Sequence, residues 1–283
     1  METKVSSINE EVIIGYDRPT VLIGERINPT GKKKLAAALQ AGDLELVRQE
    51  ALAQVEAGAD ILDVNVGSPD VDELSLLPQA VQAVMNTVDV PLCLDSTNPQ
   101  ALEAALKTYR GKPIVNSVNG EDRSLDKILP LVKEYGAAII GLTMNDDGIP
   151  NSPEQRVVIA HKIVERAETM GIPRQDVIID CLAMTVGADS KAGLVVLETI
   201  RRVKAELGVN QTLGASNISF GMPDRSLLTS YFLAVAIAAG VTCPVVDAAK
   251  VHPAVLATDL VLGRDEYAMR YITGYRQRQK HPG

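Results

Sequence analysis

The chain has 283 residues, of which 46% are hydrophobic and 23% are charged, so it can bury a sizeable core and is not a disordered chain. Its 28 Lys and Arg residues against 36 Asp and Glu give a net charge of −8, which argues against binding to a nucleic-acid backbone or an anionic membrane surface. Aromatic residues make up only 3% and tryptophan is absent, so a base-stacking surface for single-stranded nucleic acid is not expected.

Eight short runs rich in Val, Ile and Leu predict eight strands that are buried on both faces. In chain order they lie at 20–26, 61–67, 91–96, 113–119, 137–144, 177–184, 212–219 and 244–249. Because the first run begins at Thr20, residues 1–19 are predicted to form an N-terminal extension.

Helical patterns separate these strands, and several of them end at a glycine that precedes the next strand. The clearest span 44–58, 98–109, 124–135, 152–170 and 227–239, and a last helix with a frayed basic end is predicted after Gly263. Eight repeated strand–helix units predict a closed (β/α)8 TIM barrel, with residues 20–283 as a single domain. An open doubly wound sheet is the alternative, but no GxGxxG follows the first strand and no linker divides the chain.

Every predicted strand ends in an acid or an amide, and the carboxyl ends of the strands are where such barrels build their active sites. The candidates are Glu25, Asn28, Asp63, Asn65, Asp95, Asn116, Asn119, Asn145, Asp180, Asn217 and Asp247. No histidine lies at a strand end, and Lys250 is the nearest lysine. A ring of carboxylates and carboxamides suits a planar heterocycle rich in N–H donors, such as a pterin, because a carboxylate accepts two such bonds side by side.

Two other interpretations of this ring stay open. Any one of these Asp or Asn residues has about even odds of being an ordinary helix cap. Capping does not account for Asp180, because the apolar residues after it do not begin a helix. Asp63, Asp95, Asp180 and Asp247 could also form an oxygen cage for a divalent cation. The lack of histidine and the frequency of amides make the cation cage less favoured, and no metal site is predicted.

The segment 214–225 is the most specific part of the chain. It carries Ser216 and Asn217 on the predicted seventh strand, then a Gly/Pro turn that leads to Arg225. Gly214 lets a flat ligand approach the backbone closely. This segment therefore completes the predicted binding surface.

These residues lie in motifs that resemble the pterin-binding methyltransferases. This family includes the methyltetrahydrofolate:corrinoid/iron–sulfur protein methyltransferase and the folate domain of cobalamin-dependent methionine synthase, with dihydropteroate synthase as a more distant relative on the same barrel. The resemblance covers nearly the whole chain, and the motifs are specific only when taken together. They are IGERINPTG (23–31), LDVNVG (62–67), LCLDSTN (92–98), NSVNGE (116–121), GLTMNDDGIP (141–150), IIDCL (178–182) and GASNISFG (214–221).

The resemblance implies a role for individual residues. Asp95, Asn116 and Asp180 match residues that bind the pterin ring, and Asn217 matches the asparagine that hydrogen-bonds N5 of the folate. The remaining residues expected around tetrahydrofolate are Glu25, Asp63, Asn65, Gly214, Ser216 and Arg225. Phe220 departs from the pattern, because the corrinoid/iron–sulfur branch has a polar residue at this position. Members of this family are commonly homodimers, so a homodimer is expected.

The implied activity is methyl transfer between N5 of tetrahydrofolate and a methylcorrinoid, in the direction from methylcorrinoid to folate within a demethylase system. No histidine lies in an Asp-x-His-x-x-Gly motif, so the cobalamin is expected on a separate corrinoid protein. Asn217 is the predicted catalytic residue, acting by placement and hydrogen bonding without a strong acid. The alternatives are transfer from methyltetrahydrofolate to a corrinoid/iron–sulfur protein, a dihydropteroate synthase, and a folate-binding module without turnover.

The remaining features concern location. Cys93, Cys181 and Cys243 are far apart and form no CxxC pair, which fits a reducing, cytoplasmic compartment. The N-terminal segment is charged and lacks an apolar signal core. No run of about 18 apolar residues predicts a membrane-spanning helix.

Overall fold

A β-hairpin opens the computed structural model, which describes residues 1–280. Its two antiparallel strands are β1 (Glu2–Ser6) and β2 (Glu11–Gly15). The hairpin packs against the amino-terminal end of the barrel, where Ser6 pairs with Lys112 and the Asn210 side chain donates to the Ile14 carbonyl at 3.0 Å. The side chains of Val5 and Ile14 are fully buried there. The segment predicted as an extension therefore covers the bottom of the barrel and buries part of its core.

Eight parallel strands form the barrel, in the order in which they follow one another along the chain. They are β3 (Ile23–Ile27), β4 (Ile61–Val64), β5 (Leu92–Asp95), β6 (Ile114–Asn119), β7 (Ala138–Leu142), β8 (Val177–Asp180), β9 (Asn210–Thr212) and β10 (Val245–Val246). β10 pairs with β3, and the Val245 N–H donates to the Leu213 carbonyl at 2.9 Å. These contacts bring the last strand between the first and the seventh, which confirms the predicted (β/α)8 barrel.

Ten helices are described, and most of them surround the barrel. They are α1 (Lys33–Gln40), α2 (Glu45–Glu56), α3 (Glu73–Met85), α4 (Pro99–Thr108), α5 (Asp122–Tyr135), α6 (Pro153–Thr169), α7 (Ala192–Glu206), α8 (Arg225–Ala239), α9 (Ala248–Val261) and α10 (Met269–Lys280). Asn98 and Ser152 cap α4 and α6 by accepting backbone N–H bonds, and each of these helices has proline in its first turn. None of the helices described is long and apolar enough to cross a membrane.

The strand residues alternate between two apolar layers. Outward residues such as Leu62 and Leu92 pack against the helices, whereas Ile61, Cys93 and Ile114 fill the inside of the barrel. In β4, β5 and β6 the next inward position, two residues later, is occupied by Asp63, Asp95 and Asn116. The alternation of the strands therefore places a polar layer next to the apolar interior of the barrel, toward the carboxyl ends of the strands.

Several predicted strands were too long, including the sixth, which was expected at 177–184 and is observed at Val177–Asp180. The last two show the physical reasons. The seventh was expected at 212–219, but β9 covers Asn210–Thr212, and Ala215–Ser219 form a 3₁₀ turn. Short polar side chains favour this turn, in which the Ser219 hydroxyl donates to the Ser216 carbonyl at 3.2 Å. The eighth was expected at 244–249, but β10 has only two residues and α9 begins directly after Asp247. The frayed end predicted for the tail includes residues 281–283, which lie outside the described residues.

Candidate functional site

A cavity of about 460 Å³ opens at the carboxyl ends of the strands. It is lined by Glu25, Arg26, Asn28, Thr30, Lys32, Asp63, Asp95, Asn116, Ser216, Asn217, Ser219, Arg225, Ser226, Thr229, Val245, Val246, Asp247, Lys250 and Val251. Seven of the ten predicted site residues are in this lining. Its volume is in the range of pockets that hold one small organic ligand.

The floor of the cavity is a hydrogen-bonded set of two carboxylates and two amides. The Asn65 amide donates to Asp95 Oδ2 at 2.8 Å, and the Asn116 amide donates to Asp63 Oδ1 at 3.1 Å. Asp95 and Asn116 are register partners on β5 and β6, whereas Asp63 is level with Cys93 and so lies one step deeper. Asn65 does not line the cavity itself, but it fixes the orientation of Asp95.

The protonation of the floor is set by burial. Burial, and next the negative charge of Asp95, raise the pKa of Asp63 well above its ordinary value. Burial raises the pKa of Asp95 to about 6, against hydrogen bonds from Asn65 and Asp63 that lower it. Asp63 therefore keeps a proton and donates it in a hydrogen bond to Asp95, which carries the negative charge of the pair near neutral pH.

The 3₁₀ turn forms one wall of the cavity and faces β3. The Ser216 hydroxyl lies 2.8 and 2.9 Å from the two carboxylate oxygens of Glu25, whose pKa is raised chiefly by burial. Asn217 follows directly, and its side-chain amide has no hydrogen-bond partner within the described part of the chain. This amide can therefore offer either its oxygen or its N–H₂ group to a ligand.

Arg225 supports this wall at the first position of α8. Its guanidinium donates to the Ser216 carbonyl at 2.9 Å and to the Ser219 hydroxyl at 3.3 Å. Gly214 does not line the cavity, but a Cβ at this position would lie 3.0 Å from the Asn217 amide nitrogen. The glycine therefore leaves the room that the Asn217 side chain occupies.

A cationic side of the cavity was missed by the sequence analysis. Arg26 forms an ion pair with Glu50 at 3.0 Å and lies 3.6 Å from Asp247, which also pairs with Lys250 at 3.0 Å. The Lys32 ammonium donates to the Arg26 carbonyl at 2.6 Å. The signal was present in the run GERINPTGKKK, whose basic residues flank the polar end of the first strand.

Asp180 lies apart from the residues that line the cavity. Its Oδ1 accepts the Leu182 N–H at 2.7 Å, and burial raises its pKa to about 7, with the nearby Arg156 acting in the opposite direction. Asn119 and Asn145, two further strand-end amides, line separate grooves. Among the described residues, no group of three or more His, Cys, Asp or Glu side chains is arranged to hold a metal ion.

Comparison with known proteins gives consistent matches. The model of the pterin binding enzymes matches residues 24–247. A methylcorrinoid:tetrahydrofolate methyltransferase from Eubacterium limosum is 32% identical over 267 residues, covering 91% of this chain and 96% of the relative. The methionine synthase of Mycobacterium leprae (strain TN) is 32% identical over 268 residues, which span 89% of this chain but only 22% of that enzyme.

Solved structures with this architecture include dihydropteroate synthases. That of Xanthomonas albilineans with 4-aminobenzoic acid has a TM-score of 0.70 at 19% identity, covering 92% of this chain and 98% of that one. The 7,8-dihydropteroate synthase of Vibrio fischeri ES114 has a TM-score of 0.69 at 16% identity, covering 93% and 99%. At such identities these two likenesses establish a common fold and no more.

Proposed function

The chain belongs to the pterin-binding enzymes, and from this we propose that it transfers a methyl group from a methylcorrinoid to N5 of tetrahydrofolate. The observation that carries the proposal is the cavity floor, where a charged Asp95 stands beside Asn116 above a protonated Asp63. A reduced pterin presents adjacent N–H donors and ring acceptors along one edge. One carboxylate and one amide on neighbouring strands are a complementary pair of partners for that edge.

The floor binds the pterin and fixes its orientation. Asp95 accepts N–H bonds from the donor-rich edge, and the Asn116 amide supplies the mixed donor and acceptor that a pterin ring atom and its neighbour need. Because Asn65 and Asp63 already hold Asp95 in place, little side-chain freedom is lost on binding. Glu25 and Ser216 close the opposite wall, and we assign Asp180 a supporting position behind the ring.

Asn217 is the proposed catalytic residue. The N5 lone pair attacks the methyl carbon, the carbon–cobalt bond breaks with its electron pair left on cobalt, and N5 gains positive charge before it loses its proton to water. The Asn217 amide, unpaired within the described residues, can turn its oxygen toward that developing charge. Gly214 leaves room for the Asn217 side chain, and Arg225 holds the turn through the Ser216 carbonyl. The chain thus supplies placement and hydrogen bonding to a nitrogen that is already nucleophilic.

The methylcorrinoid is proposed to arrive on a partner protein. A cavity of about 460 Å³ that holds a pterin leaves no room for a corrin ring, so the methyl group must be presented at its mouth. The relative from Eubacterium limosum is named for the same pair of substrates. The three cysteines are free and buried, which fits a reducing cytoplasmic location. Residues 20–283 form the pterin-binding unit of the proposal and residues 1–19 its extension.

A homodimer is proposed through the outer face of α8. Its exposed residues Leu227, Tyr231 and Val235 recur every four positions and form an apolar stripe, and the helix has no charged residue after Arg225. α9 packs beside α8 and ends in Val261, which is 85% exposed. An uncharged face on a chain with net charge −8 is matched best by a second copy of itself.

Spectroscopy tests the methyl transfer. The protein is mixed with tetrahydrofolate and methylcobalamin under anaerobic conditions, and formation of cob(I)alamin and of 5-methyltetrahydrofolate is followed together. Asn217→Ala should lower turnover about 100-fold, the scale of losing one electrostatic donor or acceptor at the reacting atom, while tetrahydrofolate affinity changes by less than about fivefold. Full turnover in this variant would remove Asn217 from the mechanism. If the native chain forms no methylated folate, the proposed activity is refuted.

A further inference from the structure

Two loops beside the cavity mouth form a surface without charge. They are residues 181–188, which follow β8, and residues 212–223, which contain the 3₁₀ turn; neither has a single charged side chain in a chain with 23% charged residues. Met184 is 42% exposed and Phe220 is 66% exposed, whereas Phe232, the other phenylalanine, is buried. We call Met184, Phe220 and Met222 the rim patch.

The rim patch is held together by contacts between its two loops. The Thr185 hydroxyl donates to the Phe220 carbonyl at 2.6 Å, and the Val186 N–H donates to the Ile218 carbonyl at 3.0 Å. A Cβ placed on Gly187 would lie 3.2 Å from the Met222 sulfur, so this side chain rests on the neighbouring loop. The two loops are thus fixed relative to each other, and a partner that binds them loses little loop entropy.

The rim patch adjoins the proposed catalytic residue but lies outside the cavity. The Phe220 N–H donates to the Asn217 carbonyl at 3.1 Å, and the Arg225 guanidinium carbon is 5.7 Å from the centre of the Phe220 ring. Arg225 and Asn217 line the cavity, whereas the three residues of the rim patch are not part of its lining. An exposed aromatic ring in this position is therefore available to a molecule that binds at the cavity mouth, and it does not line the space that holds the pterin.

We propose that the rim patch is the seat of the corrin ring that carries the methyl group. This inference rests on the proposed function, which requires a methyl–cobalt bond to come within reach of Asn217 from outside. The edge of a corrin carries methyl groups and uncharged amide side chains, so it complements an apolar surface without charge. Flat aromatic and flexible thioether side chains adapt to such a surface. Because Phe220 follows Asn217 by three residues, a corrin on the rim patch also stands over the nitrogen to be methylated.

The test compares Phe220→Gln, Phe220→Leu and a control, Ile8→Gln. Ile8 is 60% exposed in the turn between β1 and β2, at the opposite end of the barrel. For each protein we measure the KM for free methylcobalamin in methyl transfer, the binding of methylcobalamin by calorimetry with tetrahydrofolate present, and the Kd for tetrahydrofolate. Phe220→Gln should weaken both measures for methylcobalamin about tenfold, or about 1.4 kcal/mol. Phe220→Leu should recover part of this loss, and Met184→Gln added to Phe220→Gln should deepen it.

The outcomes separate the rim patch from the proposed function. If the native chain transfers methyl groups but Phe220→Gln behaves like Ile8→Gln, the rim patch is not the seat of the corrin and the activity stands. If Phe220→Gln weakens only tetrahydrofolate binding, the ring serves the folate and the inference is overturned. If the native chain binds methylcobalamin and Phe220→Gln weakens this binding, but no methylated folate forms, the rim patch is supported as the corrin site and the proposed methyl transfer is refuted. If the native chain neither binds methylcobalamin nor transfers its methyl group, both fail.

Discussion

Replacing Asp95 by asparagine isolates the charge on the cavity floor with almost no change in shape. In the native chain Asp95 accepts from the Asn65 amide at 2.8 Å and from the proton of Asp63, and its remaining lone pairs are available to the ligand. The asparagine keeps one oxygen but turns the other position into an N–H₂ group, which must face either the Asn65 amide or an N–H of the pterin. The variant thus loses a charge-assisted bond and leaves a donor without an acceptor, a cost of about 3 kcal/mol, or roughly 100-fold in affinity.

Isothermal titration with tetrahydrofolate at pH 7.5 measures this loss directly. Asp146→Asn is the matched control, because Asp146 is an exposed carboxylate on the loop after β7 and is absent from the cavity lining. We expect the control to bind like the native chain. An Asp95→Asn affinity within about threefold of the native value would refute the assignment of Asp95 to the pterin edge, because one charged hydrogen bond alone is worth more than that.

The same floor sets the pH dependence of binding. The pKa of Asp95 in the free protein is raised to about 6 by burial, and its charged form is the one that accepts N–H bonds. Affinity should therefore be constant above pH 7 and fall as pH drops through 6, approaching about tenfold per pH unit. The Asp95→Asn variant should lose this dependence. If the affinity of the native chain for tetrahydrofolate does not change between pH 5 and 7, the ligand does not depend on a charged Asp95.

Three further outcomes are expected. Asp180→Asn should raise the melting temperature, followed by circular dichroism, at pH 8.5 but not at pH 5. The pKa of the native Asp180 carboxyl is about 7, so the native chain loses folding stability as pH rises and this buried group ionises, and the variant gains at most about 4 kcal/mol. Tyr231→Glu should give a monomer in light scattering, whereas Leu52→Glu on α2 should leave a dimer. Gly214→Ala should lower kcat about tenfold with little loss of folate affinity in titration, since its methyl group displaces the Asn217 amide.

The sequence predicted well the strands whose residues are apolar on both faces. β4 and β5 were placed within three residues of their bounds because their Val, Ile and Leu runs are buried between the helices and the barrel interior. β9 was displaced because its residues are polar yet buried. Asn210 bonds the Ile14 carbonyl, and the Thr212 hydroxyl bonds the Cys243 carbonyl at 2.6 Å. Partners that are distant along the chain satisfy these groups, and no local pattern reveals them.

The cavity was predictable where its side chains follow the strand alternation. Asp63, Asp95 and Asn116 are at inward positions two residues after apolar inward ones, and the sequence shows this spacing directly. The cationic side was missed because Lys32 reaches the site only through a loop that folds back to the Arg26 carbonyl. Asp180 occupies an inward position as well, but its bond to the Leu182 N–H keeps it out of the lining. Such detail depends on loop conformation, which strand periodicity does not encode.

The charges around the cavity favour a nitrogen nucleophile over acid catalysis. N5 must be unprotonated to attack a methyl group, and a strong acid beside it would hold it as a cation. Among the lining residues described there is no histidine. Arg26 pairs with Glu50 and Lys250 with Asp247, while Lys32 and Arg225 donate to backbone carbonyls. The neutral Asn217 amide can stabilise positive charge without donating a proton. Transfer toward folate fits this cavity because the attacking N5 needs no proton from the lining. In the reverse reaction N5 is the leaving group, and its proton would have to come from a buried carboxyl group such as Glu25 or Asp63.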